Sequence, residues 1–263
     1  MKMNAMTKPI VFFLLIFAMN FSSQAQVENR QFYQLKTYTL ADEKQEGIMD
    51  SYLKDAYLPA LKRANIENVG VFKLRPSNYL TANKIYVLIP FESMDQFLTI
   101  DNMLAQDKSY VSAGAAYLEA KFDEPPYERI NSTLMKAFTE MPTMKATEVQ
   151  GPRKDRVYEL RSYESPTEAT YQNKVDMFNT GGEVELFDSL GFNAVFYAEV
   201  LSGDRMPNLM YMTTFPNMEK RDALWDAFFT SEKWSKLKVD PKYQNNMNKS
   251  DKILLYPTAY SDY

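Results

Sequence analysis

Two segments of this chain, 125 positions apart, carry the same alternating pattern of aromatic, aliphatic and polar residues. Residues 32–40 read FYQLKTYTL and residues 157–165 read VYELRSYES, so that Tyr33 aligns with Tyr158. Each segment is followed by elements of the same kind in the same order. The chain is therefore predicted to contain a tandem duplication, and this restricts the fold to two copies of one unit.

The first half is predicted to contain strands and helices in a defined order. Alternation predicts strands over 32–40, 68–75, 84–91 and 128–138, and helical spacing predicts helices over 44–64, after Ser93 and over about 111–121. Pro59 should kink or split the first helix, because proline cannot donate the helical hydrogen bond. Ser93 is suited to cap the next helix, since its side-chain oxygen can accept from an unpaired amide of the first turn.

The second half repeats this order. Strands are predicted over 156–163, 192–201, 208–215 and 253–260, with a helix over 167–190 that breaks at Gly181-Gly182 and another helix after the N-cap Asn217. Each half thus has the β-α-β-β-α-β order of a ferredoxin-like unit, which makes the fold class α+β. The predicted domains are residues 26–140 and 156–263, joined by a polar linker over 141–155.

The first 25 residues are predicted to be a secretory signal peptide. Lys2 and Lys8 make the N-terminal region positively charged, and an apolar run of ten residues follows them. Ser23 and Ala25 are the small residues that a signal peptidase needs for cleavage before Gln26. The alternative, an uncleaved membrane anchor, is disfavoured because crossing a bilayer takes about 20 apolar residues. The mature protein is expected to be exported by a bacterium, to the periplasm or beyond the cell, without stable insertion in a membrane.

The chain contains no cysteine and no histidine. This excludes disulfides, thiolate nucleophiles, imidazole metal ligands and the catalytic triads that need either residue. No glycine-rich phosphate-binding motif is present, and we expect neither a metal nor a cofactor. The formal charge of −4 argues against nucleic acid as a partner, since a surface that binds a duplex is basic.

The second half resembles the NIPSNAP family over about residues 155–263. The resemblance rests on VYELRSYES, on the helix and two strands that follow it, and on NMEKRDALWDAFFTSEKWSKL at 217–237. The first half is similar to a more divergent copy, with Gln34 and Lys36 where the family pattern has an acid and an arginine. The resemblance implies a dimeric α/β-barrel architecture, in which two ferredoxin-like sheets face each other, here within one chain. It implies little about a reaction.

A strand face that mixes aromatic, aliphatic and charged residues predicts a partly enclosed space between the two sheets. Seven side chains are predicted to line this cavity and bind a ligand: Glu159, Arg161, Tyr163 and Tyr197, with Gln34, Lys36 and Tyr38 opposite them. A charged pair in an aromatic pocket would anchor a small polar ligand. The alternative is an ion pair that fixes strand register, or a plug of side chains that leaves no cavity.

Two functions follow from these observations. The predicted function is an exported protein that binds a small molecule or a protein partner through the inter-sheet cavity, without catalysis. The alternative is a cofactor-independent enzyme of the dimeric α/β-barrel type, monooxygenase- or isomerase-like, acting on a small aromatic or polyketide-like substrate. Arg161 would then stabilise an anion, with Tyr163 or Glu159 as acid or base. Binding is favoured because related barrels often use histidine, which this chain lacks. Further homo-oligomerisation is left open.

Overall fold

The computed structural model describes residues 29–76 and 83–263. The signal peptide predicted for residues 1–25 lies outside the described residues. The strands are β1 (Phe32–Leu40), β2 (Gly70–Leu74), β3 (Asn83–Phe91), β4 (Arg129–Ala137), β5 (Val157–Glu164), β6 (Asn193–Ser202), β7 (Asn208–Phe215) and β8 (Lys249–Pro257). The helices are α1 (Glu43–Ser51), α2 (Leu58–Arg63), α3 (Met94–Gln106), α4 (Lys108–Ala113), α5 (Ala115–Leu118), α6 (Glu168–Phe178), α7 (Glu183–Leu190), α8 (Met218–Thr230) and α9 (Glu232–Leu237).

Within the described residues, the strands form one closed antiparallel barrel in the order β1-β3-β2-β8-β5-β7-β6-β4. The first half contributes the run β4-β1-β3-β2, and the second half contributes the equivalent run β8-β5-β7-β6. The halves join edge to edge, where β2 pairs with β8 and β4 pairs with β6. The predicted α+β fold, two ferredoxin-like halves forming an intramolecular α/β barrel, is confirmed.

The two half-sheets are continuous through both of these edges, as well as facing each other across the interior. At one junction Phe72 lies opposite Pro257, and at the other Ala137 lies opposite Ala198. Each junction pairs backbone N–H and C=O groups that would otherwise be exposed at the edge of a sheet. Separating the halves would therefore leave unpaired edges on both.

Each strand places one row of side chains inside the barrel and the alternate row beneath the helices, because successive residues of a strand point to opposite faces. The interior row consists of large apolar side chains from both halves, including Tyr33, Leu35, Tyr158 and Leu160. The outer rows pack under the helices as two separate clusters, one for each half. The interior is thus the layer that the two halves share.

Both predicted helix breaks are present. Between α1 and α2 the chain forms a π-helical segment, Tyr52–Tyr57, after which Pro59 lies in the first turn of α2. The amide of Leu58 donates to a carbonyl five residues back, so the helix widens just before the proline. Between α6 and α7, Gly182 has a φ of +80°, a left-handed conformation that glycine adopts most easily.

The last strand lies earlier in the chain than the sequence predicts. The predicted bounds 253–260 are wrong, since β8 is Lys249–Pro257. Residues after Pro257 cross one end of the barrel, where the amide of Thr258 donates to the carbonyl of Val71. The pairing of β8 with β5 ends at Leu255, and only the contact with β2 continues beyond Pro257.

One end of the barrel is closed by segments outside the sheet. Tyr263 is buried and packs edge-on against Tyr158, with ring centres 6.1 Å apart. Its hydroxyl donates to the carbonyl of Lys145, which belongs to the predicted linker. The amide of Lys145 in turn donates to the carbonyl of Val195 on β6. The linker and the last residues therefore form a floor under the barrel interior.

Candidate functional site

The side chains predicted to bind a ligand lie outside the barrel, beneath the helices. On β5 the interior row contains Tyr158 and Leu160. The alternate residues face outward: Glu159, Arg161 and Tyr163 on β5, Gln34, Lys36 and Tyr38 on β1, and Tyr197 on β6. The prediction that these residues line a cavity between the sheets is wrong.

The two predicted groups also point away from each other. β1 and β5 lie four strands apart in the closed order, on opposite sides of the barrel. Their outward rows are therefore separated by the whole barrel. The mixed polarity of β1 and β5 did not reveal this, because both faces of these two strands are largely covered, one by the barrel interior and one by helices.

Glu159 is the centre of a buried ion-pair network between β5 and α8. Its carboxylate accepts hydrogen bonds from Nε of Arg161 at 2.7 Å, Nε of Arg221 at 2.6 Å and Nε1 of Trp225 at 3.0 Å. Burial opposes ionisation, but the hydrogen bond from Arg221 and the charges of both arginines hold the pKa of Glu159 below its ordinary value. Both carboxylate oxygens are thus satisfied within the protein.

Arg161 lies between this carboxylate and a pair of tyrosines. Its Nη1 donates to the hydroxyl of Tyr163 at 3.0 Å, and that hydroxyl lies 2.8 Å from the hydroxyl of Tyr211. Tyr197 stacks on Tyr211, with ring centres 5.5 Å apart. The structure thus joins the predicted β5 residues by hydrogen bonds and brings Tyr197 against them by ring packing. The alternative interpretation was an ion pair that fixes strand register; the ion pair is present, and its partners Arg221 and Trp225 link β5 to α8.

The three predicted residues of the first half contact separate partners. Gln34 donates to Oγ of Ser132 at 2.9 Å, Lys36 donates to the hydroxyl of Tyr57 at 3.1 Å, and the ring of Tyr38 lies 5.6 Å from that of Tyr127. Burial lowers the pKa of Lys36, although Asp101 and neighbouring tyrosines act in the opposite direction. The structure does not gather these side chains into one site.

A cavity of about 340 Å³ opens at the end of the barrel where β1 and β5 finish and β4 and β8 begin. Its walls are interior side chains of β1, β3, β4, β5, β7 and β8, together with the turn 203–205 between β6 and β7. A cavity of this size lies within the range of small-molecule sites, about 300–1,000 Å³. We call it the mouth cavity.

One wall of the mouth cavity carries two cationic side chains that have no ion-pair partner among the described residues. Lys84 of β3 and Arg129 of β4 both lie opposite Thr39 of β1 in the strand register. Neighbouring strands are about 4.8 Å apart, so the two side chains leave the sheet about 10 Å apart, on either side of Thr39. Thr37 and Asn131 lie on the same wall. The wall is positively charged and rich in hydrogen-bond donors.

The opposite wall of the mouth cavity is balanced by ion pairs. Arg205, in the turn between β6 and β7, pairs with Glu164 of β5 and Asp251 of β8. Nζ of Lys249 lies 3.5 Å from the carboxylate of Glu164. Asp204 also lines the cavity and is exposed to solvent. The charges of Arg205, Lys249, Glu164 and Asp251 are therefore paired within the protein, and Asp204 adds one more carboxylate to the rim.

The floor of the mouth cavity is apolar. Leu35, Leu160 and Met210 line it and are buried. Burial raises the pKa of Tyr86 to about 12, so its hydroxyl remains protonated at neutral pH. Asn208 donates to Oγ of Ser162 at 2.9 Å on the adjacent wall. The cavity therefore combines a polar, charged rim with an apolar floor.

The sequence analysis missed these residues, although the sequence contains a signal for them. The interior row of β4 passes from charged to apolar through Arg129, Asn131, Thr133 and Met135. The interior row of β1 changes in the same direction, from Thr39 inward to Leu35. Such gradients on adjacent strands are expected where one end of a barrel is open to water and the other end is filled.

Two further properties concern only the described parts of the chain. Residues 29–76 and 83–263 contain no group of three or more acidic side chains placed to hold a metal ion. Over the same ranges, no helix has the length and apolar character needed to span a bilayer. The expectation that neither a metal nor a cofactor is bound stays a prediction.

Comparison with known proteins finds a family model that matches the second half. Residues 158–262 match the NIPSNAP family model, which confirms the resemblance found in the sequence. A NIPSNAP family protein of unknown function from Agrobacterium tumefaciens has 17% identity and a TM-score of 0.34, with 40% of this chain and 89% of that chain covered. A search of curated protein sequences finds no match to the chain.

Solved structures with the same fold cover both halves. A provisionally assigned monooxygenase from Fusobacterium nucleatum has a TM-score of 0.59 at 7% identity, with 87% of this chain and 92% of that chain covered. A second provisionally assigned monooxygenase, from Lactobacillus acidophilus, has a TM-score of 0.53 at 11% identity, with 87% and 94% covered. At such identities the likeness shows the fold and not the activity.

Proposed function

We propose that this chain, whose residues 158–262 form a NIPSNAP domain, is an exported protein that binds a small molecule in the mouth cavity without catalysis. The observation that carries the proposal is the combination of an apolar floor with a cationic wall whose Lys84 and Arg129 form no ion pair with the described residues. Lys84 is half-buried and Arg129 is exposed, so both cations can be reached by a ligand that enters the cavity from solvent. Such a ligand would supply their ion-pair partner.

The alternative, a cofactor-independent enzyme, depends on side chains that already bind one another. Arg161 is engaged by Glu159 and Tyr163 and is covered by Trp225 of α8. A substrate could reach its guanidinium only if α8 moved away from the sheet. The provisional assignment of two structures of similar fold as monooxygenases does not alter this, because the likeness concerns the fold alone.

A thermal-shift screen tests the binding proposal. The mature protein, residues 26–263, would be screened against neutral, anionic and cationic small molecules, since a ligand that binds the folded state raises the Tm. We expect hits that disappear in T37F, because this substitution places an aromatic ring in the mouth cavity. S132F is the matched control, since Ser132 lies on the outward face of the neighbouring strand and is exposed. A panel without hits, or hits that survive T37F, would contradict the proposal.

Export is tested by the N-terminus of the protein that a bacterial host releases. When the full chain is expressed with its first 25 residues, we expect the periplasmic or extracellular fraction to contain protein that begins at Gln26, as measured by mass spectrometry. Protein that keeps Met1 and stays in the cytoplasmic fraction would contradict export. It would leave the binding proposal unaffected.

A further inference from the structure

We infer that the ligand of the mouth cavity is a small organic anion with an apolar body, whose anionic group binds between Lys84 and Arg129. The inference rests on the proposed function and adds the chemical class of the ligand. It comes from comparing Thr39 with Glu164, which occupy equivalent positions in the two halves of the duplication.

In the second half, a carboxylate occupies the centre of the rim. Glu164 of β5 lies opposite Asn208 of β7 and Lys249 of β8. The carboxylate pairs with Lys249 and with Arg205 of the neighbouring turn. The cations around this position are therefore neutralised by the protein itself.

In the first half, the equivalent position lacks a carboxylate. Thr39 of β1 precedes Glu164 by 125 residues, the spacing of the repeat. It likewise lies between the third and fourth strands of its half, opposite Lys84 and Arg129. Two cations thus flank a threonine where the duplicated unit has an acid. Among residues 29–76 and 83–263 no carboxylate pairs with Lys84 or Arg129, so a ligand can supply here the negative charge that Glu164 supplies in the second half.

The wall around Thr39 offers the donors that an anion requires. Arginine presents a planar fork that matches a carboxylate or a phosphate, and lysine adds a compact charge. Thr39 lies between these cations in the strand register, and the hydroxyl of Thr37 and the side-chain amide of Asn131 supply further polar groups one step deeper in the barrel. Hydrogen bonds to ionised groups are stronger than those between neutral groups, so this wall favours an anion over a neutral polar molecule.

The rest of the cavity limits what the anion carries. Leu35, Met210 and Ile253 line the space below the cationic wall. An inorganic anion would leave this apolar surface in contact with water, whereas an aryl or short alkyl body would cover it. The cavity volume of about 340 Å³ is near the lower limit for small-molecule sites, so the ligand must be small.

Among the described residues that line the cavity, Asp204 supplies a carboxylate for which no ion pair is found, and it provides a discriminating test. It lies in the turn between β6 and β7, beside Arg205, and β6 pairs with β4, the strand of Arg129. If the ligand carries only negative charge, replacing Asp204 by Asn removes a repulsion. If the ligand were zwitterionic, the same substitution would remove a partner of its cationic group.

The experiment is isothermal titration calorimetry on the mature protein with three probes of similar size. Phenylacetate and phenyl phosphate carry a carboxylate and a phosphate, and phenylacetamide is the neutral counterpart of the first. The variants are K84Q, R129Q and D204N. K252Q is the matched control. It removes one positive charge, as K84Q and R129Q do, but Lys252 lies opposite the outward-facing Arg161 and therefore outside the cavity. Circular dichroism confirms that each variant is folded.

We expect at least one of the two anions to bind. Phenylacetamide should bind at least about ten-fold more weakly, because the free energy of one hydrogen bond to a charged group corresponds to about that change in affinity. K84Q and R129Q should each weaken the anion about ten-fold, with K252Q unchanged and D204N unchanged or tighter. The preference between phenylacetate and phenyl phosphate then identifies the anionic group.

Several results would overturn the inference. These are equal binding of amide and acid, equal weakening by K252Q, loss of binding in D204N, or no binding of either anion at millimolar concentration. If the thermal-shift screen still gave hits that T37F removes, the binding proposal would stand and the ligand class would be wrong. If the screen also gave no such hits, both would fail.

Discussion

The guanidinium carbon of Arg161 lies 3.7 Å from the ring centre of Trp225. The Nε1 of the same indole donates to Glu159, so one side chain of α8 contacts both members of the ion pair on β5. Cation–π contact and a shared hydrogen-bond acceptor fix the helix on the sheet at this point. The most distinctive motif of the second half therefore attaches a helix to the barrel, and the ligand site that we propose lies elsewhere, at the mouth.

Replacing Glu159 should destabilise the protein strongly. In E159Q two half-buried arginines, Arg161 and Arg221, lose the buried carboxylate that they share, although Arg221 keeps its pair with Asp222. Removing one member of a buried ion pair costs about 3–5 kcal/mol. Urea denaturation measures the loss. The control is E185Q, whose carboxylate pairs with Lys233 at the surface and should contribute little. Equal effects of the two substitutions would show that the network is not a structural anchor.

The same carboxylate should make stability depend on pH in the acidic range. The folded state holds the pKa of Glu159 below its unfolded value, which is about 4.3. Its contribution is therefore complete above that pH and is lost as the pH falls through the folded pKa. The difference in unfolding free energy between wild type and E159Q should shrink as the pH is lowered from neutral into this range. A constant difference would contradict the assignment.

Replacing Lys36 should not destabilise the protein, in contrast to replacing Glu159. Burial lowers the pKa of Lys36, which means that the fold disfavours its charged form, and its ammonium has a tyrosine hydroxyl as hydrogen-bond acceptor. We expect K36M to leave stability unchanged or to raise it by about 1 kcal/mol at neutral pH. The gain should fade as the pH approaches about 10.4, where the unfolded lysine also loses its proton. A clear loss of stability in urea denaturation would show that the bond to Tyr57 matters more than desolvation.

The second half alone should not remain monomeric. In the whole chain, β6 and β8 are paired with β4 and β2 of the first half. Residues 156–263 expressed alone would expose both edges, and unpaired edges favour association with another copy. We expect light scattering after size-exclusion chromatography to report a dimer or larger species. A stable monomer would mean that the junctions between the halves are dispensable.

The fold could be predicted from the sequence because the two halves of the repeat gave the same order of strands and helices independently. Alternation in 32–40 and 157–165 predicts equivalent strands, and the elements that follow each of them have the same order. Local signals also placed the break at Gly182, where a left-handed conformation is needed. The bounds of β8 were missed because apolar residues continue past Pro257 as the chain turns under the barrel.

The site was not readable from the same alternation, because that pattern does not say which row faces inward. Arg161 and Glu159 are charged, yet they lie beneath a helix where Arg221 and Trp225 satisfy them. The partners come from α8, about sixty positions away, and no local pattern links them to β5. The mouth cavity, in turn, depends on strand register, which sequence reasoning did not assign.

Cysteine labelling tests the location of the site most directly, because the chain has no cysteine of its own. T37C places a thiol in the mouth cavity, and T213C places one opposite Glu159 on the buried helix-facing row. We expect a thiol reagent to modify T37C rapidly in the native state and T213C only through transient opening, and any compound that raises the Tm should protect T37C. Rapid modification of T213C, or a T37C thiol that ligands leave unprotected, would contradict binding at the mouth of the barrel.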